Sequence, residues 1–320
     1  MLIRHPQNPI LTRKAIPSIP PHLIDVTSVF NPGAVKVGKK YLLMLRVQNR
    51  ARETFFVMAE GTDGMNFKVR KEIVTLEGIE KIRGTIFHVY DPRITRLGDD
   101  FYIVVAMDME NSCKLGLVRT SDFRQFTFMG IISGEDSRNG VLFPEKINGK
   151  YLMLERPNRQ TAGGVASGNE IWLSASNDLL AWKPVCPVLQ GRWHYWDELI
   201  GSGPPPVKTR DGWLHLYHGV ATHFSSVNIY QAGVVLLDLE DPSKVVARSR
   251  ANILEPREMY EMVGQVPNVV FPGGMIVEKF DKDGFALPES PVKIYYGAAD
   301  TVVGLATTTI AELLKACRME

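Results

Sequence analysis

The chain has 320 residues, of which 45% are hydrophobic and 22% charged, and its formal net charge is +2. This composition indicates a soluble globular protein with ample material for a buried core. The near balance of charge, without long runs of Lys or Arg, argues against a nucleic-acid-binding protein, and the sequence has no apolar stretch long enough to suggest a membrane span.

A short proline-led phrase recurs five times along the chain. Residues 1–28 precede the first copy, are rich in proline and poor in pattern, and are expected to wrap the outside and close the structure. The prolines of successive phrases are 60, 52, 60 and 68 residues apart. The five phrases are Asn31-Pro-Gly-Ala-Val, Asp91-Pro-Arg-Ile-Thr, Phe143-Pro-Glu-Lys-Ile, Gly203-Pro-Pro-Pro-Val and Phe271-Pro-Gly-Gly-Met-Ile. Recurrence at this spacing indicates a repeat protein.

Each of the first four phrases is followed by a glycine turn and a strand that starts with an aromatic residue. These strands are Tyr41–Arg46, Phe101–Ala106, Tyr151–Arg156 and Trp213–His218. Because side chains alternate between the two faces of a strand, three of the strands end their apolar face with a basic residue, namely Arg46, Arg156 and His218. A single such residue would be read as solvated. Three at one repeat position are expected to converge on the axis of the repeats, where buried cations need an anionic partner.

Secondary phrases at 61–67, 119–126 and 174–182 combine a polar turn with an aromatic residue. They predict about four short strands in each unit, as in the blade of a β-propeller. Helical patterning is confined to 309–318, where Thr309 has the character of an N-cap and Glu312 follows three residues later. The sequence therefore predicts an all-β fold: a single five-bladed β-propeller over residues 1–320 with a short C-terminal helix. The strands after the five prolines are expected to be innermost.

Two pairs of polar residues open repeats beside the expected basic cluster. Tyr90 and Asp91 open the second repeat, and Asp91 is either an Asx turn before proline or a carboxylate at the axial end of an inner strand. In the second case, it is a candidate general acid for a glycosidic oxygen. Arg138 and Asn139 precede the third repeat and form either a loop pair or, with the convergent basic residues, an anion site suited to phosphate.

Longer phrases give the chain a resemblance to glycoside hydrolase family 130, the β-mannoside phosphorylases, over almost its full length. The matching phrases are Val29–Pro32, Tyr90–Arg93, Arg138–Tyr151, Gly201–Pro204, Gly212–Gly219, Leu236–Val245, Gly264–Pro272 and Ile294–Thr301. The resemblance implies a five-bladed propeller that cleaves a β-mannosyl linkage of a manno-oligosaccharide with phosphate. The implied reaction inverts the anomeric centre and releases α-mannose 1-phosphate.

The resemblance also implies roles for residues at matching positions. Asp91 resembles the general acid of the family, which is thought to pass its proton through the 3-hydroxyl of mannose. The implied phosphate-binding residues are Arg138, Asn139, Arg156 and His218. The implied substrate-binding residues are Asn31, Arg46, Tyr90 and Asp300. No metal or organic cofactor is implied, and inorganic phosphate is a co-substrate.

One position departs from the family pattern. Many family phosphorylases have a lysine before the Ile-Gly-x-Gly-Pro phrase as a further phosphate ligand, whereas this chain has Leu199. Two readings therefore stay open beside phosphorolysis. One is an inverting β-mannosidase that uses water, with Glu198 as the base. The other is a carbohydrate-binding propeller without turnover, in which Trp193, Tyr195 and Trp196 line a groove.

The remaining expectations concern location and partners. The three cysteines are scattered, no Cys/His spacing matches a zinc site, and the first residues lack the apolar run of a secretion signal. We therefore expect a cytoplasmic protein that binds a small carbohydrate and phosphate and has no nucleic-acid or membrane partner. The acceptor sugar, the linkage and a homo-oligomeric state stay open at this point.

Overall fold

The structure is a computed structural model that describes residues 2–110, 112–134, 136–161, 164–222 and 227–319. The chain starts with the short strand β1 (Ile3–Arg4), which is followed by a 3₁₀ helix at Arg13–Ala15. The first blade contains β2 to β5, at Val26–Val37, Lys40–Asn49, Thr54–Gly61 and Lys68–Ile73. The second blade contains β6 to β10, at Leu76–Glu77, Ile86–Leu97, Asp100–Met109, Cys113–Thr120 and Phe126–Ile131, with a 3₁₀ helix at Ile79–Lys81.

The other three blades follow in chain order. The third contains β11 to β15, at Ser137–Leu142, Tyr151–Thr161, Gly164–Ser167, Glu170–Ser176 and Trp182–Gln190. The fourth contains β16 to β20, at Leu199–Ser202, Val207–Thr209, Gly212–Ala221, Ile229–Leu237 and Val245–Arg248. The fifth contains β21 to β23, at Val270–Val277, Pro291–Ala298 and Val302–Thr309. The two α-helices are α1 (Met259–Met262) and α2 (Ile310–Arg318).

The five sheets form the blades of one β-propeller, as the sequence predicts. The strands β2, β7, β11, β16 and β21 each lie at one edge of their sheet. These edge strands contact each other between blades, since β7 packs against both β2 and β11, β11 packs against β16, and β2 packs against β21. They therefore surround the axis, and the longer strands that follow them are second in each blade.

The innermost strands carry the proline phrases or end just before them. Pro32, Pro92 and Pro272 lie within β2, β7 and β21, while Pro144 and Pro204 follow β11 and β16. The expectation that the strands after the prolines are innermost is therefore wrong, because the aromatic-led strands are second. Proline lacks a backbone N–H, and at the edge of a sheet this loss removes no ladder hydrogen bond.

Each blade buries both of its faces against a neighbouring blade. In β3, Leu43 and Leu45 pack in one core cluster with Leu305 of the fifth blade. Leu42 and Met44, on the other face of the same strand, pack in a second cluster with residues of the second blade. This burial on both faces explains why the aromatic-led strands are continuous apolar runs rather than alternating ones.

The two ends of the chain both pack on the fifth blade. Strand β1 pairs antiparallel with β23, with Ile3 opposite Thr307, and becomes the outermost strand of that blade. The C-terminal helix α2 starts after Thr309, whose Oγ1 accepts a hydrogen bond from the backbone N–H of Glu312 at 3.3 Å. The predicted N-cap and helix are therefore confirmed. None of the helices within the described ranges is long and apolar enough to cross a membrane.

Candidate active site

One layer of paired residues repeats in all five blades and forms a ring around the axis. The innermost and second strands pair in this layer as Phe30 with Arg46, Tyr90 with Ala106, Arg138 with Arg156, Gly201 with His218, and Phe271 with Gly297. A cavity of about 300 Å³ opens at the ring. It is lined by all nine sequence-predicted site residues, namely Asn31, Arg46, Tyr90, Asp91, Arg138, Asn139, Arg156, His218 and Asp300. Arg46, Arg156 and His218, which the repeat predicts to converge on the axis, all line this cavity.

Three of these side chains come from bulges in the innermost strands. Asn31, Asp91 and Asn139 each lie where the pairing register shifts, and their φ angles are 44°, 54° and 53°. Asn and Asp adopt this left-handed region more readily than other side-chain-bearing residues. A bulge also bends the strand and changes the direction of its side chain. The choice of residue at the bulge therefore places a short polar group at the same level of the axis in three blades.

Asp91 is held in place by two donors. Its Oδ1 accepts hydrogen bonds from Asn31 Nδ2 at 3.0 Å and from Arg46 Nη1 at 3.0 Å. The Arg46 guanidinium lies between the rings of Phe30 and Tyr90, 4.5 and 4.6 Å from their centroids. This double stacking fixes the direction of the cation. No described residue donates to Oδ2 of Asp91, so this oxygen is available to a ligand.

A second carboxyl group faces the same part of the cavity. Burial raises the pKa of Asp300 to about 6, and the neighbouring Asp91 adds to the rise while Arg46 opposes it. Asp300 therefore changes its charge near neutral pH, which an ordinary aspartate does not do. Nearby, Asn31 packs directly against Gly297. Any larger residue at position 297 would place a Cβ on the Asn31 amide oxygen.

The third blade contributes two arginines, Arg138 and Arg156, to the lining of the cavity. Burial lowers the pKa of Arg156, and the nearby charge of Arg138 lowers it further. The Nε atoms of both arginines are buried, and neither has a hydrogen-bond partner in the part of the chain that the structure describes. Arg138 faces one carboxylate, that of Asp108 at 3.6 Å, so this pair of guanidinium groups carries more positive charge than its neighbours balance and can bind a further anion. Within the described ranges, no group of three or more His, Cys, Asp or Glu side chains could hold a metal ion.

His218 completes this cationic part as a neutral donor. Burial, together with the charges of Arg156 and Arg93, lowers the pKa of His218 well below its ordinary value. Its ring packs against Phe271 at a centroid distance of 4.5 Å. A neutral imidazole donates one hydrogen bond and adds no charge. Gly201 allows this packing, because a Cβ at that position would overlap the His218 ring.

Sequence reasoning missed two polar residues that line the cavity, Asp108 and Tyr230. Asp108 Oδ1 accepts a hydrogen bond from the Tyr90 hydroxyl at 2.7 Å and lies 3.6 Å from Arg138 Nη2. The sequence does contain a signal for Asp108. Ala106 occupies the position in the second repeat that Arg46 occupies in the first, and Asp108 follows it by two residues on the same face of the strand. Tyr230 belongs to the third strand of its blade, for which the repeat pattern carried no functional signal.

The residues of the two alternative readings lie elsewhere. Glu198 is not among the residues that line the axial cavity, and it lies in a separate groove with Trp193 and Tyr195. Trp196 lines the same groove, and it is also held by packing, since its ring stacks on Tyr217 at 5.8 Å and its Nε1 donates to a backbone carbonyl at 2.8 Å. The structure therefore separates Glu198 from the carboxylates of the cavity.

Comparison with known proteins agrees with this geometry. A family model described as beta-1,4-mannooligosaccharide phosphorylase, glycoside hydrolase family 130, matches residues 2–319. The chain is 34% identical over 260 residues to a 1,2-beta-oligomannan phosphorylase of Thermoanaerobacter sp. (strain X514), covering 80% of this chain and 78% of that protein. It is 31% identical over 318 residues to the beta-1,4-mannooligosaccharide phosphorylase of Ruminococcus albus, covering 97% of this chain and 89% of that protein.

A solved structure supports the same assignment. The beta-1,2-mannobiose phosphorylase of Listeria innocua, in complex with beta-1,2-mannobiose, superposes with a TM-score of 0.86 at 27% identity and covers 100% of this chain and 99% of that chain. The protein described here belongs to glycoside hydrolase family 130 and is an enzyme of that family.

Proposed function

We propose that this protein is an inverting β-mannoside phosphorylase, which transfers a mannosyl residue of a manno-oligosaccharide to phosphate and releases α-mannose 1-phosphate. The observation that carries the proposal is the lining of the axial cavity. It brings the carboxylate of Asp91 together with the basic side chains of Arg138, Arg156 and His218. The relatives compared above are named mannoside phosphorylases, which supports the same reaction class.

In this proposal, Asp91 is the general acid. Arg46 and Asn31 hold its Oδ1, so that the proton resides on Oδ2, the oxygen available to the ligand. The proton passes to the 3-hydroxyl of the bound mannosyl unit, and the hydroxyl gives its own proton to the glycosidic oxygen. The bond between that oxygen and the anomeric carbon breaks as a phosphate oxygen attacks the carbon from the opposite face. The leaving sugar gains the proton, and general acid catalysis of this kind contributes roughly 10²–10⁴-fold.

The nucleophile is bound by the cationic part of the cavity. The charges of Arg138 and Arg156 neutralise phosphate, and their planar guanidinium groups match its oxygens in pairs. Neutral His218 adds one N–H donor, and the Asn139 amide adds another polar group. Leu199 lies two residues before Gly201 on the same face of β16 and supplies no charge, so phosphate binding is expected to be weaker than with a lysine there.

The β-mannosidase alternative has less support. A base for water has to be near the anomeric carbon, yet Glu198 lies in the separate groove. Asp108 does line the cavity, but it is engaged by the Tyr90 hydroxyl and faces Arg138. The non-catalytic alternative has no use for a cationic cluster opposite a carboxylate.

The test is an assay of product with and without phosphate. The protein is incubated with β-1,2-, β-1,3- and β-1,4-linked mannosides, and mannose 1-phosphate and free mannose are measured separately. We expect mannose 1-phosphate, formed only when phosphate is present, from at least one linkage. Release of mannose at full rate in phosphate-free buffer would overturn the proposal in favour of hydrolysis.

A further inference from the structure

Arg93 is a fully buried cation that the proposed reaction leaves without a role. It follows Asp91 by two residues on β7, its exposed fraction is 0%, and it is not among the described residues that line the axial cavity. No described carboxylate pairs with its guanidinium group, and burial lowers its pKa, although the charge of Asp91 opposes this fall. A buried charge without a close partner is costly. The presence of this arginine therefore calls for a functional explanation.

The side chain of Arg93 joins three blades. Its backbone belongs to β7 in the second blade, and its Nε donates a hydrogen bond at 2.8 Å to the backbone carbonyl of Gly203, which follows β16 in the fourth blade. Its Cζ lies 5.3 Å from the centroid of the Phe271 ring in the fifth blade. The hydrogen bond and the cation–π contact together give the guanidinium group a fixed direction.

Phe271 connects this cation to His218. The Phe271 ring packs on the His218 ring with the two centroids 4.5 Å apart, and the Tyr230 ring stacks on His218 at 6.0 Å. Nδ1 of His218 is buried and has no hydrogen-bond partner among the described residues. In many sites, a hydrogen bond at the second nitrogen orients a histidine. Here ring packing orients His218, and Arg93 contacts one of the two rings that provide it.

Charge links Arg93 to His218 as well. Burial lowers the pKa of His218, and the charges of Arg156 and Arg93 lower it further. Arg156 lines the cavity, so a phosphate bound there offsets its charge, whereas Arg93 lies outside the lining and keeps its charge. An anion beside an imidazole favours the protonated ring, and a nearby cation opposes this. Arg93 therefore acts on His218 most strongly when phosphate is bound.

The other ionisable groups around His218 do not replace this cation. Burial lowers the pKa of His215, on the same strand, to about 3, and burial raises the pKa of Tyr230. Both side chains are therefore uncharged at neutral pH. The remaining groups line the cavity together with His218, and they are Tyr90, Asp91, Asp108, Arg138, Arg156 and Asp300. Because these groups face the ligand, their effect on His218 changes when the cavity is filled.

We propose that Arg93 is a positioning residue for the phosphate site. It holds the Phe271 ring against His218 and supplies a constant positive charge, so that His218 keeps one orientation and remains a neutral N–H donor while phosphate is bound. Arg93 does not touch the ligand and acts through His218. This inference rests on the proposed function, in which His218 donates a hydrogen bond to phosphate.

The first test observes His218 directly by NMR. Imidazole nitrogen signals are recorded from pH 5 to pH 8, with and without inorganic phosphate, and the signal that is absent from His218→Asn identifies His218. In wild type and in Arg93→Lys, which keeps the charge, His218 should stay neutral over this range. In Arg93→Met the pKa of His218 should rise, most strongly with phosphate bound, so that the ring becomes protonated towards pH 5. A ring that stays neutral in Arg93→Met with phosphate bound would overturn the proposal.

Two further variants make this comparison secure. Arg96→Met is the matched control, because Arg96 is an exposed arginine on the same strand whose Nε also donates to a backbone carbonyl, that of Gly98. It should leave the His218 signals as in wild type. If Arg93→Met does not fold, Arg93→Gln gives the same comparison, because it is also uncharged but keeps an N–H donor for the Gly203 carbonyl.

Kinetics separates this role from a purely structural one. At pH 8, Arg93→Met should raise the KM for phosphate roughly three- to tenfold, the effect of one buried charge near the site, with little change in kcat. Arg93→Lys should recover most of this loss. A lower kcat with an unchanged KM for phosphate would assign Arg93 to the fold or to Asp91 and would contradict the proposal.

The two measurements also separate this inference from the reaction on which it rests, because the NMR experiment needs no turnover. If the His218 signals respond to Arg93→Met but wild type forms no mannose 1-phosphate, the phosphorylase proposal fails and the control of His218 by Arg93 stands. If wild type forms mannose 1-phosphate, and Arg93→Met does so with the same KM for phosphate and the same His218 signals, the phosphorylase proposal stands and the role of Arg93 is refuted.

Discussion

Arg46 Nη1 donates a hydrogen bond to Asp91 Oδ1 at 3.0 Å, and this contact joins the second strand of the first blade to the innermost strand of the second. The two residues are 45 positions apart in the chain. They meet because the bulge that contains Asp91 and the end of the apolar face of β3, where Arg46 lies, are at the same height along the propeller axis. The contact fixes the direction of the Asp91 carboxylate. It occupies Oδ1 and leaves Oδ2 for a ligand.

Replacement of Asp91 by Asn should lower kcat by roughly 10²–10⁴-fold, the contribution of general acid catalysis, because the amide has no proton of suitable acidity to donate. Steady-state kinetics with phosphate and a β-mannoside measures the loss. Asp99→Asn, which changes an exposed carboxylate in a turn of the same blade, serves as the control. Near-normal turnover of a folded Asp91→Asn protein would remove Asp91 from the mechanism.

Asp300 should make stability fall as the pH rises. Its pKa is raised to about 6 in the folded protein, whereas an unfolded aspartate ionises near 4, so the folded state binds more protons between these values. The folded state is therefore destabilised progressively from about pH 4 to pH 6, and the penalty is complete above pH 6. Asp300→Asn removes the ionisable group and should stabilise the protein by about 2–3 kcal/mol at pH 7.5, with little gain at pH 4.

Urea unfolding of wild type and Asp300→Asn at pH 4, 5 and 7.5 measures this effect. Asp99→Asn provides the control for loss of a carboxylate that is exposed. A gain in the free energy of unfolding that is equal at all three pH values would contradict the assigned ionisation of Asp300.

The start of the chain should contribute strongly to stability through Arg4. Glu261 is fully buried in α1, and Arg4 donates to its two oxygens at 2.8 and 2.9 Å. Arg4→Ala leaves a buried carboxylate without its cation, so the free energy of unfolding should fall by about 3–5 kcal/mol. Chemical denaturation measures the change, with Arg257→Ala as the control because that arginine is exposed. A loss no larger than that of the control would show that the fold does not depend on this contact.

The sequence predicted the architecture because the same local pattern occurs in every blade. Each glycine turn and aromatic-led strand marks a repeat, and the equivalent positions of Arg46, Arg156 and His218 in their repeats predict that these residues meet at one axis. The prediction of which strand is innermost was wrong. The second strand of each blade is buried on both faces and therefore has the more continuous apolar sequence.

Other parts of the site depend on contacts between blades, which no local pattern encodes. The direction of Asp91 follows from a bulge and from donors in another blade. The raised pKa of Asp300 follows from burial among residues of other blades. The position of Glu198 in a separate groove depends on the preceding loop, in which Arg192 donates two hydrogen bonds to the buried carboxylate of Asp197. The nine candidate residues could be named from sequence and resemblance, but their arrangement required the structure.

Phosphate binding should respond in opposite directions to two changes in the cationic part of the cavity. Arg156→Ala removes a buried guanidinium and should raise the KM for phosphate. Leu199→Lys adds a cation on the face of β16 that carries Gly201, beside His218, and should lower it. A charge-assisted contact to a bound anion contributes about 1.5–3 kcal/mol, which corresponds to roughly ten- to a hundredfold in KM for each change. Initial rates at varied phosphate and fixed mannoside give both values.

The control for these variants is Arg96→Ala, which removes an exposed arginine that donates to the Gly98 carbonyl and lies over the Phe101 ring, away from the cavity. It should leave the KM for phosphate unchanged. A general electrostatic effect predicts similar shifts for Arg96→Ala and Arg156→Ala, whereas a specific anion site predicts a shift for Arg156→Ala alone. If Leu199→Lys leaves the KM for phosphate unchanged while Arg156→Ala raises it, the anion sits beyond the reach of residue 199. If neither variant changes that KM, phosphate does not bind among these residues, and the phosphorylase mechanism proposed for this cavity fails.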